Sequence, residues 1–116
     1  MSRLAAVIGC IGLAMPAQAQ YAKIVGLGAT PCATFIQEIA QMLAAERDYA
    51  ASAQGFMSGA LMRAPPGVDE GIDLLPPSLP MREQADFKQA YCRHHPEQDF
   101  KDAAHALYRG LRGSGT

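Results

Sequence analysis

The chain has 116 residues, ten Lys+Arg against eleven Asp+Glu, a formal net charge of −1 and no tryptophan. That length holds one domain with one modest core. The near-neutral balance argues against a nucleic-acid binder, which carries a basic stripe, and against an anionic membrane surface as the main partner.

The chain opens on a short positive region at Arg3, an apolar run from Leu4 to Met15, a break at Pro16 and the small residues of Ala17-Gln18-Ala19. This is the pattern of a signal peptide, with cleavage expected after Ala19 and a periplasmic or secreted product. Val7-Ile8-Gly9-Cys10 loosely resembles a lipoprotein box, but the apolar run continues past Cys10. The run is also shorter than the roughly 20 residues of a membrane span. Cleavage leaves 116 − 19 = 97 residues with nine Lys+Arg, eleven Asp+Glu and two cysteines. In an oxidising compartment Cys32 and Cys92 are expected to form a disulfide. The loop it closes spans 92 − 32 = 60 residues.

Residues 20–29 read as a flexible arm, because Gly26 and Gly28 weaken any helix or strand. A helical domain is expected over 30–112. Thr30 and Pro31 suit the start of a first helix, drawn at about 31–45 on the stripe Cys32, Phe35, Ile36, Ile39, Met42 and Leu43. Glu46, Arg47 and Asp48 read as a polar joint, with Asp48 capping a central helix that runs to Arg63. Tyr49, Ala53, Phe56, Met57, Ala60 and Leu61 recur at helical spacing on that segment. Gly55 and Gly59 form a column with Ala51. Glycine inside a helix costs roughly 1 kcal/mol against alanine, so the column predicts close approach of a second helix.

Between 64 and 80 the composition changes. Five of the eight prolines lie there, with Gly67 and Gly71 and the acidic residues Asp69, Glu70 and Asp73. Leu74, Leu75 and Leu79 suggest that the stretch folds back on the core. Long loops are often functional, so Asp69, Glu70, Asp73, Leu74 and Leu75 are candidate partner-binding residues. A third helix is expected over about 79–94, with Phe87 and Tyr91 four apart and Cys92 near its end. Pro96 is placed to open a fourth, on which Phe100, Ala103, Ala104, Leu107, Tyr108 and Leu111 make the clearest amphipathic pattern in the chain. The tail 113–116 is expected to fray. The expected fold is therefore all-α: about four helices stapled once, packed through Gly55, Gly59, Phe35, Phe56, Tyr91, Phe100 and Leu107.

No catalytic constellation stands out. The histidines are His94, His95 and His105. A zinc site needs three or four ligands, and the disulfide removes Cys92 as one. The serines lack a nucleophile elbow, and no phosphate-binding glycine loop is present. A non-enzymatic domain with no cofactor and no metal is expected.

The segments Thr-Pro-Cys-x-x-Phe from Thr30, Tyr-x-x-x-x-Gln-Gly-Phe-x-x-Gly from Tyr49, and Tyr-Cys-x-x-x-Pro then Phe-x-x-Ala from Tyr91 resemble a group of small exported bacterial proteins with one disulfide and about four helices. The group includes the HdeA/HdeB-type periplasmic acid-stress chaperones and the periplasmic immunity proteins that neutralise type VI secretion effectors. The proline-rich stretch 64–80 departs from the chaperone pattern. The resemblance implies action by protein contact. One form is an immunity-type domain that binds a partner protein through its helical surface and the 64–80 loop. The other is a holdase that acid loosens, exposing Phe35, Phe56, Met57, Phe100 and Leu107 to unfolded clients. A homodimer is open in either case.

Overall fold

The computed structural model describes residues 23–113. The expected signal peptide 1–19, the start of the arm and residues 114–116 lie outside them. A 3₁₀ turn, Leu27–Ala29, precedes four helices: α1 (Cys32–Gln41), α2 (Leu43–Arg63), α3 (Met81–His94) and α4 (Phe100–Gly113). No strand forms among the described residues, and none of their helices is long and apolar enough to cross a membrane. Around the bundle, α1 packs on α2 and α3, and α4 closes it by packing on the same two.

The arm is not loose over its last residues, since the 3₁₀ turn packs on α2 and α4 and Leu27 joins the core. Thr30 does not cap α1. Its carbonyl instead accepts the Phe100 N–H at 2.8 Å. The free N–H groups of Cys32 and Ala33 donate to the carbonyls of Gln98 and Pro96, at 2.7 and 3.4 Å. The start of α1 is thus satisfied by the α3–α4 connection, through backbone rather than a side-chain cap.

The first joint differs from the expectation. α1 stops at Gln41, and one extended residue, Met42 (φ −138°, ψ 112°), turns the chain directly into α2. Glu46, Arg47 and Asp48 lie inside α2. Packing supplies the reason. Phe35 and Tyr49 have ring centroids 4.7 Å apart. On one continuous helix, 14 residues would separate them by about 21 Å. Reversal at Met42 lets both rings meet Phe100, Phe35 tilted at 4.7 Å and Tyr49 edge-on at 4.9 Å. The Tyr49 hydroxyl donates to Glu38 on α1, across the same reversal. Burial first, then that bond, raises the hydroxyl above its ordinary value of 10.0.

The fourth helix also starts later than expected. Pro96 to Asp99 form a turn, and α4 begins at Phe100. Asp102 reaches back to accept the Asp99 N–H at 2.9 Å, as the acid of a capping box does.

The core has two adjoining parts. The first holds Cys32, Phe35, Tyr49, Ala53, Cys92, Phe100, Ala103 and Ala104. Its centre is the Cys32–Cys92 disulfide, with Cα atoms 4.8 Å apart, which ties the start of α1 to the end of α3. The second holds Met57, Leu107, Tyr108 and Leu111, covered by Ala60, Leu61, Leu74 and Leu79. Phe35, Phe100 and Leu107 pack as expected, and Tyr91 flanks the first part half-buried. Phe56 does not pack in the core and stays 38% exposed.

Gly55 and Gly59 are also corrected. Both are exposed, and a Cβ built on either meets nothing within 4 Å. Among the described residues no helix backbone approaches them. Their only conformational effect is the entropy cost of glycine in a helix, so Gly55→Ala and Gly59→Ala should each raise stability by about 1 kcal/mol. Thermal unfolding of the two variants measures this, and a fall in melting temperature would restore the close-approach reading.

Candidate functional site

The face that α3 turns inward is Gln84, Lys88 and Cys92, one residue per turn. The sequence reading took the helix phase from Phe87 and Tyr91, but Phe87 is largely exposed. Cys92 carried the better signal. A cystine in a small core must point inward, and so must the residues four and eight positions before it.

Gln84 is fully buried and fully bonded. Its amide N–H groups donate to the carbonyls of Leu74 and Leu79, at 2.9 and 3.0 Å. Its oxygen accepts from Gln54 of α2 at 2.8 Å. One side chain therefore fastens the proline-rich stretch to α3 and α2. Lys88 is buried without such provision. It is 2% exposed, and its Nζ has no hydrogen-bond partner among the described residues. The ammonium lies 6.0 Å from the centre of the Phe100 ring, at the outer limit of a cation–π contact. Burial lowers its pKa from 10.5 to about 8, against the opposing attraction of Glu46.

The loop residues proposed from sequence to bind a partner are mostly engaged internally. Asp69, in the left-handed region at φ 61°, accepts from the Tyr108 hydroxyl at 2.6 Å and from Arg112 Nε at 2.5 Å. The bond to Asp69, with burial second, raises the Tyr108 hydroxyl above 10.0. Glu70 accepts the N–H of Gly67 and Asp73 that of Leu75, each at 2.8 Å. Gly67 and Gly71 supply the positive φ these turns need (81° and 77°). Leu74 packs on the second part of the core. Of the five, Leu75 alone points an apolar side chain largely at solvent. The stretch is a packed connector.

Three surface depressions remain to consider. A cleft of about 170 Å³ lies between α2, α4 and the arm, with Phe56, Val25 and Lys101 in its wall. A polar hollow is lined by Tyr91, Gln98, Asp102, His105 and Arg109. Tyr91 there donates to Gln98 and lies 4.5 Å from the ring of His95, while His105 is 6.4 Å from the ring of Phe56. Among the described residues no three His, Cys, Asp or Glu side chains gather in a way that could hold a metal.

The third is an open groove in two adjoining halves of about 340 and 260 Å³ that share Leu43, Glu46 and Arg82. One half lies between α2 and α3 alone, on Ala50, Met81 and Ala85. The other reaches α1, on Ile36, Ile39 and Ala40. The reversal at Met42 places its apolar centre. A helix that had continued to 45 would not leave Met42 and Leu43 at a corner, 61% and 85% exposed. Met81, itself 36% exposed, lines the same half of the groove as Leu43. This face can supply shape and apolar area for another polypeptide, but it holds no acid–base or nucleophile pair. Comparison of the chain with protein-family models, with curated proteins and with solved structures returns no match.

Proposed function

We propose that this chain is an exported, non-enzymatic domain that acts by binding a protein, in the manner of an immunity protein, through its helical surface. The observation that carries this reading is the groove in which the exposed apolar side chains of Leu43 and Met81 both lie. Exposed large apolar side chains along one groove, with arginines beside them, are the composition of a protein interface. The 64–80 stretch contributes as a rigid neighbour, because its acidic residues already serve the fold.

A second reading, the acid-loosened holdase, draws on a different observation. Asp69 holds the connector over the second part of the core through Tyr108 and Arg112. Loss of these two bonds would loosen the cover over Met57, Leu107 and Leu111, apolar surface of the kind a holdase offers its clients.

One experiment separates them. A photo-crosslinking amino acid is placed at position 43, and at exposed Arg109 as a control, in cells that make the protein. A discrete adduct at neutral pH from position 43 and not from 109 is expected. Adducts with many proteins, formed only after acidification, would favour the holdase. The same adducts from both positions, or none from 43, would overturn the binding reading.

A further inference from the structure

We infer that the α1–α2–α3 groove takes an acidic, amphipathic segment of its partner, an inference that rests on the protein-binding reading above. Charge placement points to this occupant. Three of the seven arginines, Arg47, Arg82 and Arg93, line the groove, in a chain whose net charge is −1. The groove's one acid, Glu46, faces inward to α3, where it accepts from Gln89 at 3.1 Å and meets Arg82 at 3.9 Å. Arg82 also reaches Asp86 at 3.7 Å, but its side chain is 77% exposed and both contacts are long. Arg93 makes one long bond, 3.4 Å, to Gln89.

Exposed pairs of this kind hold arginine weakly, so all three guanidinium groups are available to carboxylates. Guanidinium binds carboxylate through two parallel N–H donors, which favours Asp and Glu over other acceptors. The floor between the arginines is apolar, with Ile39, Leu43, Ala50 and Met81 along it. A segment that fits presents apolar side chains to this floor and carboxylates to the rim. A uniformly acidic tail would leave the floor uncovered, and an uncharged apolar segment would leave the guanidinium groups unpaired.

The test uses the purified protein and a fluorescent helical peptide with leucine on one face and glutamate on the other. The same peptide with lysine for glutamate is the comparison. The glutamate peptide should bind and the lysine peptide should not. The variant Arg47→Gln/Arg82→Gln/Arg93→Gln should weaken binding by roughly tenfold and flatten its salt dependence. Leu43→Ser should weaken it without changing that dependence. These side chains are exposed, so thermal melts should overlay the parent. Equal binding of both peptides, binding of neither, or an affinity untouched by the triple change overturns the inference. The crosslink at position 43 then distinguishes the two claims. If the adduct survives the arginine changes but is lost in Met81→Ser, the face binds protein and the partner is not acidic. If no adduct forms, both claims fall.

Discussion

Replacement of both half-cystines, Cys32→Ala with Cys92→Ala, should cost about 4 kcal/mol, the chain-entropy value for a closed loop of about 60 residues. Their separation in the chain is 60. Net stabilities of small domains are about 5–15 kcal/mol, so the loss is a large share of the whole. The location adds to it. Both cysteines are fully buried beside Phe35 and Phe100, where removing sulfur also leaves a cavity. Without the link, the start of α1 is held to the far end of the chain by the backbone bonds of Cys32, Ala33 and Phe100. Urea unfolding of the oxidised parent, the reduced parent and the double variant measures the effect. Near-identical midpoints for all three would mean that packing alone holds α1 to α3.

Replacing Lys88 by methionine should stabilise the domain, by on the order of 3 kcal/mol at neutral pH. Proton linkage sets the size of the effect. The folded pKa is about 8 against an ordinary 10.5, and each unit is worth about 1.4 kcal/mol. The depressed value means that the folded state binds the proton less well than the unfolded chain. Above about pH 10.5 both states are neutral and Lys88 carries no penalty. As pH falls to about 8 the unfolded chain gains the proton first, stability drops, and the full penalty applies below that. The stability difference between Lys88→Met and the parent should therefore be smallest and level above about pH 10.5, grow as pH falls, and reach its maximum below pH 8. Tyrosines titrating in the same range cancel in the difference. Methionine keeps the straight aliphatic stem and removes the unpartnered charge, which commonly stabilises a buried site. Chemical denaturation of both proteins from pH 7 to 11 gives the curve. A Met variant less stable than the parent at pH 7 would show that Nζ has a partner such as trapped water. Such a costly residue in the core of a small domain is the kind of local conflict that function often maintains.

How far the sequence reached varies by element. The four helices and their approximate spans were legible, because a 3.6-residue apolar period is a local signal, clearest from Phe100 to Leu111. The disulfide was legible because a chain read as mature and exported has only two cysteines. The aromatic trio was legible as three buried rings, although not as one cluster. Tertiary structure alone decided the rest. No glycine or proline marks the turn at Met42, which is set by Tyr49 having to reach Phe35. The phase of α3 followed the cystine rather than the aromatics, which buried Gln84 and Lys88 and left Phe87 outside. The leucines of the proline-rich stretch suggested that it folds back on the core, but not that Tyr108 and Arg112, some forty residues later, would hold it through Asp69. Gly55 and Gly59 looked like a contact until no neighbour approached them. Periodicity fixes which residues share a face, but it does not fix what stands opposite that face, and burial, partners and charge all depend on the opposite side.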